Sequence, residues 1–196
     1  MEYAIVKFIH ILGVILMGSG LIGVWLADLR SRQLYQLNPF AEAIRNIAIF
    51  YDGLVIPGAI LLFISGTWLI IVFFGGWNFI QINWLNGMII LFLLEFIEGN
   101  TITRIYFMRL RRITQDALTQ GDFTPELQEA RGEKVSTFTH FLDLPILFLI
   151  VALGVIKPNS WMLFIVGTLI ALLIAIVLTI YIPKLYPWGV ESQSKT

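Results

Sequence analysis

The sequence predicts an all-α fold, a polytopic bundle of about five transmembrane helices, from its composition and from the spacing of its apolar runs. Of the 196 residues, 58% are hydrophobic and 13% are charged, whereas soluble domains contain about 25% charged residues. So few charges cannot cover a soluble surface of this size, and most of the surface is therefore expected to face lipid. Five stretches also reach the roughly 20 mostly apolar residues that cross a hydrocarbon core.

These stretches define the predicted helices, which occupy residues 4–27, 47–74, 84–120, 125–156 and 160–182 of a single bundle domain. The first is too long for the hydrophobic region of a signal peptide and lacks a basic leader, so it is expected to remain as a membrane helix. The second carries Asp52, Gly53 and Pro57 near its start, which predicts a kink or a tilted entry there.

Basic residues predict the orientation, because cytoplasmic connections carry an excess of Lys and Arg. The connections after the first and third helices hold most of them: Arg30, Arg32, Arg45, Arg109, Arg111, Arg112, Arg131 and Lys134. The loop between the second and third helices has no charge, and the loop between the fourth and fifth has only Lys157. We therefore expect the N-terminus outside and the C-terminal tail, with Lys184 and Lys195, in the cytoplasm.

The third and fourth helices are expected to extend beyond the membrane and to meet in a short cytoplasmic turn near Asp122. Gly121 is a suitable C-terminal cap, and Thr124 with Pro125 is typical of a helix start. A helix of roughly 32 residues would be about 48 Å long, which exceeds the ~30 Å hydrocarbon core. Glutamates that follow Pro125 are expected to face the arginines of the third helix, in a solvated hairpin or in a surface that docks a partner.

Small residues follow the first helix at Gly13, Gly18, Ser19, Gly20 and Gly23. Such residues allow helix backbones to approach closely within a membrane. Packing inside the bundle is the first interpretation, and a homo-oligomer is the alternative.

Charged and polar side chains at membrane depth are costly and usually face the bundle interior. Five are expected in its inner half, namely Asp52, Glu98, Arg104, His140 and Asp143, and Glu95 is expected near the middle. One interpretation is a satisfied polar network with Arg104 bonded to Asp52 or Asp143. A second is a proton or ion relay, and a third is a Zn, Mn or Fe site, although the spacing is not that of di-iron bundles.

His10 stands apart in the outer third of the first helix. A histidine on a glycine-lined membrane helix can be an axial haem ligand. His140 is expected on the order of 15 Å away along the helix axes, too far to share an iron with it. A b-type haem on His10 alone, with Met17 or a non-protein sixth ligand, and a structural histidine bonded across the bundle are both open.

The sequence lacks the motifs that are typical of several classes of function. The chain has no cysteine, so it has no disulfide and no thiolate chemistry. It shows no nucleophile elbow, phosphate-binding loop, dinucleotide fingerprint or HExxH motif, so an enzyme is not predicted. Its 13 basic and 13 acidic residues balance, which gives no indication of nucleic acid as a partner.

Four segments together resemble the bacterial predicted integral membrane proteins of domain-of-unknown-function family 2269. They are Lys7 to Gly13 (KFIHILG), Asp52 through Pro57 to Leu69, Arg104 to Arg112, and Lys157-Pro158. The resemblance covers about 150 residues and implies a multi-pass protein of the bacterial inner membrane, with no assigned activity. Glu95, Glu98 and His140 differ from the apolar or aromatic residues of that family.

The first helix is also similar to that of the copper-resistance-D and haem-linked protoporphyrinogen-oxidase-type membrane proteins. That likeness implies a metal or haem at His10. The leading hypothesis is a non-enzymatic integral membrane protein, an accessory subunit of a larger complex. The alternatives are a b-type haem or metal-binding redox protein that uses His10, and a proton or ion relay through the inner carboxylates.

Overall fold

The computed structural model describes residues 1–186, and all regular structure within that range is helical. The helices are α1 (Glu2–Arg32), α2 (Leu37–Phe50), α3 (Ile56–Phe73), α4 (Asn83–Glu98), α5 (Arg104–Gln120), α6 (Pro125–Arg131), α7 (Lys134–Ile156) and α8 (Met162–Leu185). Two π-helical turns, Tyr51–Val55 and Gly99–Thr103, join α2 to α3 and α4 to α5 without interrupting the helical path. The predicted all-α class is confirmed for this part of the chain.

Five helical stretches among these residues are long and apolar enough to cross a membrane. They are α1, α2 with α3, α4 with α5, α7, and α8, which confirms the predicted set of five. Because successive stretches run in opposite directions, the connections alternate between two ends of the bundle. We call the end with the α1–α2 and α5–α6 connections the basic end, and the other the opposite end. Lys184 lies at the basic end, whereas Lys195 lies outside the described residues.

The connection after α1 differs from its prediction. The sequence places a long basic loop there, but α1 continues to Arg32 and the next helix begins at Leu37 rather than at 47. Packing is the physical reason: Phe40, Ile44 and Ile47 recur at helical spacing and are at most 1% exposed. Burial of that stripe against the neighbouring helices stabilises three further helical turns. Arg32 is therefore part of a buried helix and not of a cytoplasmic loop.

The hairpin between α5 and α6 has the predicted caps. Gly121 ends α5 in the left-handed region, with φ of 80°, and the Thr124 side chain accepts a hydrogen bond from the Leu127 amide at 3.2 Å. The fourth predicted helix is not continuous, however, because α6 ends at Arg131 and α7 starts at Lys134. Gly132 has a low helix propensity, which accounts for a break at that point.

Aromatic contacts fasten the hairpin to α2. Phe123 packs edge-on against Phe40, with ring centroids 5.5 Å apart. The Arg131 guanidinium lies over both rings, at 4.6 and 4.9 Å from their centroids, a cation–π arrangement. Burial lowers the pKa of Arg131 to about 10. On the outer surface Arg109 pairs with Glu133, which matches the expected approach of acidic and basic residues across the hairpin.

The irregularity expected near Asp52 and Pro57 takes the form of the first π-helical turn. It spans Tyr51–Val55 and ends directly before α3, whose first turn contains Pro57. Proline lacks the amide hydrogen that a regular helix would use at that position. The wider turn accommodates the proline while the helix continues across the membrane.

Glycines let α1 and α3 cross at very short range. A Cβ atom on Gly58 would lie 2.4 Å from the Met17 backbone nitrogen and 2.9 Å from the Gly13 carbonyl oxygen. Gly20 and Gly23 make similarly close contacts with Val55 and Phe50. These small residues of α1 therefore serve packing within one chain, as the first interpretation of the sequence expected.

Gly58→Ala should lower the free energy of unfolding by about 1–3 kcal/mol, because its methyl group would enter backbone that cannot give way. Gly53→Ala is the matched control, since nothing lies within 4 Å of a Cβ atom there and alanine has the higher helix propensity. Unfolding of the detergent-solubilised protein by dodecyl sulfate, followed by circular dichroism, measures both. Equal effects of the two substitutions would contradict the proposed close crossing.

Candidate functional site

A buried ion pair lies at the inner end of α1. Arg32 Nε donates to Asp28 Oδ2 at 2.9 Å, and both side chains are only 2% exposed. The guanidinium also lies over the Phe141 ring, 5.7 Å from its centroid. Ions removed from water are tolerated in this way only when each has a close partner. The pair therefore provides a neutral but strongly polar wall inside an otherwise apolar bundle.

His140 of α7 stands between two carboxyl groups. Its Nε2 is 3.8 Å from Asp28 Oδ2, and its Nδ1 is 4.0 Å from Asp143 Oδ2. Both distances exceed hydrogen-bond length, and neither ring nitrogen has a hydrogen-bond partner among residues 1–186. The edge of Phe107, at 5.2 Å between centroids, fixes the plane of the imidazole. A small movement of the ring, or one bridging water molecule, would therefore connect it to either carboxyl group.

Asp143 faces two further carboxyl groups, those of Glu95 and Glu98 on α4. Asp143 is 3% exposed and Glu95 is 7% exposed, and in the described part of the chain no amide, hydroxyl or ring N–H group donates to either oxygen of Asp143. Glu95 and Glu98 lie within hydrogen-bonding reach of Asp143, so a hydrogen bond among these groups needs a proton on one of the three carboxyls. Glu98 is half-buried and accepts a hydrogen bond from Thr103 Oγ1 at 2.7 Å. The structure thus brings together four residues that the sequence singled out, namely Glu95, Glu98, His140 and Asp143.

A cavity of about 200 Å³ adjoins these carboxyl groups, and we call it the inner cavity. Glu95, Asp143, Tyr51 and Asn100 contribute its polar lining. Since a water molecule occupies about 30 Å³ in the liquid, the inner cavity has room for several. Most of its wall is apolar, and the four polar residues provide the hydrogen-bond partners that a water molecule needs there.

Both π-helical turns border the inner cavity. The Tyr51 hydroxyl in the first turn donates to the Gly99 carbonyl in the second at 2.8 Å. Any Cβ atom on Gly99 would lie 2.9 Å from that hydroxyl oxygen, so glycine is needed for the contact. Turns of this kind occur frequently at functional sites, and here two of them meet beside the same carboxyl groups.

Asp52 and Arg104 form a separate, more exposed pair. Arg104 donates to Asp52 at 3.4 Å, and their side chains are 38% and 57% exposed. One of the two partners that the sequence suggested for Arg104 is therefore the observed one. The pair links the first π-helical turn to the start of α5 at the bundle surface and does not belong to the buried group.

His10 lies toward the opposite end, in the wall of a second cavity of about 630 Å³ that we call the outer crevice. Ser65 Oγ donates to the Leu61 carbonyl and lies 3.0 Å from His10 Nδ1, so Nδ1 carries the proton and donates to Ser65. Met17, expected as a sixth haem ligand, lines the inner cavity instead, and Met88 is the methionine that lines the outer crevice.

Sequence reasoning missed Asp28 and misplaced Arg32. The signal was present, because Asp28 and Arg32 are spaced i, i+4 on a continuous helix, the spacing at which opposite charges pair. It was overlooked because Arg32 was assigned to a basic loop. Tyr51 was also missed, since an aromatic residue at the start of an apolar run carries no signal of a polar role. Among residues 1–186, no group of three or more His, Asp or Glu side chains is placed to hold a metal ion.

Asp28→Asn should lower the free energy of unfolding by about 3–5 kcal/mol, because removing one partner of a buried ion pair is strongly destabilising. Glu42→Gln is the control, since Glu42 and Arg45 form a pair in which both side chains are 62% exposed and such pairs contribute about 0–1 kcal/mol. Dodecyl sulfate titration of both variants tests the difference. If Asp28→Asn lowers the free energy of unfolding by less than 1 kcal/mol, the fold does not depend on the Asp28 carboxylate.

Comparison with known families found one match. A family model described as a predicted integral membrane protein, DUF2269, matches residues 4–158. The matched range contains every residue of the inner group and His10, and it ends before α8. No curated protein and no solved structure matched the chain in the corresponding comparisons.

Proposed function

The chain belongs to the DUF2269 family of predicted integral membrane proteins, and we propose that it exchanges protons between the water at its basic end and a buried carboxyl group. In this proposal the path consists of Asp28, His140, Asp143 and Glu95, and it ends at the inner cavity. In this proposal the protein is a multi-pass component of the bacterial inner membrane that exchanges protons. Within a larger complex it acts as an accessory subunit.

One observation carries the proposal: the buried carboxyl group of Asp143 has the carboxyl groups of Glu95 and Glu98 within hydrogen-bonding reach, so a hydrogen bond there requires a shared proton. It also lies beside a histidine whose two ring nitrogens have no hydrogen-bond partner among the described residues. A purely structural network satisfies its buried polar atoms, because each unsatisfied atom costs free energy. Carboxyl groups that face one another at membrane depth also repel when ionised, which favours sharing of protons among them. Groups of this kind recur in proton relays.

The order of the groups suits stepwise transfer. A proton that enters from the basic end meets Asp28 first, then His140, whose two nitrogens lie 3.8 and 4.0 Å from the two aspartates. Imidazole can accept a proton at one nitrogen and release another from the second. Asp143 then faces Glu95 and the inner cavity. Other charged or titratable groups that face this path from the surrounding helices are Arg32, Tyr51, Glu98, Arg104 and Tyr106.

Infrared difference spectroscopy tests the proposal in proteoliposomes subjected to a pH jump. The wild type should show a protonated-carboxyl C=O band that changes with the jump and is absent from Asp143→Asn. His140→Phe should keep the band but slow its change by about 100-fold or more, since a positioned proton acceptor typically contributes that much. Asp52→Asn, which alters an exposed carboxylate, is the control and should change neither the band nor its rate.

Two outcomes would count against proton exchange. If Asp143→Asn folds and retains the whole pH-dependent band, the buried carboxyl group is not the one that exchanges. If His140→Phe exchanges as fast as the wild type, the histidine does not connect the two aspartates, and the cluster is a structural network.

The orientation that accompanies this proposal places the basic end in the cytoplasm, following the positive-inside rule. Because the chain contains no cysteine, single cysteines report on it without background. Asn78→Cys in the loop at the opposite end should react with a membrane-impermeant thiol reagent in spheroplasts. Asp122→Cys in the hairpin should react only after permeabilisation. If Asp122→Cys reacts without permeabilisation and Asn78→Cys does not, the basic end, where the path begins, lies on the outer side of the membrane.

A further inference from the structure

The outer crevice has a chemical character that the inner group does not share. It opens between α1, α3, α4 and α7, and its walls are mainly apolar side chains, among them Val14, Leu62 and Phe92. Its charged lining residues are two lysines, Lys7 and Lys157. Within residues 1–186 these are also the basic residues of the opposite end, as the remaining ones lie toward the basic end. The bundle thus concentrates that end's positive charge on the rim of one apolar crevice.

Lys157 has an unfavourable backbone conformation. It is the non-glycine residue with positive φ in the described chain, at 50°, and it ends α7 in the left-handed region. Glycine or asparagine usually fills such a position, because the Cβ atom of another residue is crowded against the following carbonyl oxygen there. In return its ammonium group lies 5.3 Å from the centroid of the Trp84 ring, a residue of the same crevice. A helix cap alone does not call for lysine at this position.

Lys7 approaches the rim from the first helix. Its ammonium group lies 5.8 Å from the centroid of the Tyr3 ring, and Tyr3 is also part of the crevice wall. Tyrosine and tryptophan side chains favour the level of lipid headgroups. Two cations at headgroup level above apolar walls are complementary to one amphipathic anion.

We propose that the outer crevice binds an anionic phospholipid, with its phosphate between Lys7 and Lys157 and an acyl chain against the apolar walls. Charge complementarity identifies the headgroup, because a zwitterionic lipid presents a cation beside its phosphate. The volume of about 630 Å³ lies within the range of about 300–1,000 Å³ that ligand sites have. His10 lies one helical turn deeper than Lys7. Its Nε2 is left as an acceptor by the bond to Ser65, so it has no donor for an ester carbonyl.

Native mass spectrometry measures this binding on the full chain. The protein is reconstituted into vesicles of equimolar phosphatidylglycerol and phosphatidylcholine and released with its bound lipid. Each lysine near an anionic lipid contributes about 1 kcal/mol, or about fivefold in affinity. The preference for phosphatidylglycerol should therefore fall by about 30-fold in the variant that combines Lys7→Gln with Lys157→Gly. Lys7→Arg, which keeps the charge, should retain the preference.

Controls separate binding from folding and from other occupants. Lys157→Gly relieves the strained cap, so it should weaken binding without lowering the free energy of unfolding. Lys134→Gln removes an exposed lysine at the basic end and should change nothing. Soluble glycerol phosphate should not displace the lipid, because it lacks the acyl chain.

The assignment is overturned if the double variant retains phosphatidylglycerol as the wild type does, or if soluble glycerol phosphate displaces it. It is equally overturned if the purified protein shows a Soret absorbance band that His10→Asn removes, since a haem would then occupy the crevice. None of these outcomes bears on the pH-dependent carboxyl band, so the lipid site and the proton path succeed or fail independently.

Discussion

The free-energy cost of charge inside an apolar bundle governs how this protein is built. Asp28 and Arg32 are tolerated in its interior because they lie within 2.9 Å of each other on one helix, so that the pair is neutral as a unit. His140 and Asp143 then lie against this pair from α7. The polar groups therefore form one contiguous cluster, and the apolar contacts of α1, α2 and α5 surround it.

Backbone irregularity and close packing both occur beside the inner cavity, whose wall includes Met17. Gly58 and Gly13 bring α1 and α3 together, and the two π-helical turns pass beside the carboxyl groups. A regular helix would direct its carbonyl groups along its own axis, whereas the turn at Gly99 leaves a carbonyl oxygen that Tyr51 can reach. Such a turn thus supplies backbone polarity where the membrane interior supplies none.

The two cavities divide the bundle chemically. Both cavities have mainly apolar walls, but the polar groups of the inner cavity include carboxyl groups and a phenol, whereas the charged groups of the outer crevice are two lysines. Apolar residues that include Leu62 and Phe92 line the outer crevice on the way from Glu95 to His10, so the histidines at positions 10 and 140 belong to different sites. The family to which the chain belongs covers both sites but not α8, which packs mainly against α7 and leaves most of its apolar surface exposed.

The sequence by itself determined the number of spans, the caps of the hairpin at Gly121 and Thr124, and four members of the inner group. These features depend on composition, on local turn chemistry and on the rule that charges avoid lipid, all of which can be read along the chain. Only the tertiary structure decided that residues 37–46 are helical, that Arg32 is buried against Asp28, that Asp143 faces Glu95, and that His10 bonds to Ser65. Those outcomes depend on which helix faces meet, and helix–helix contacts join residues far apart in the chain, so no local pattern specifies them.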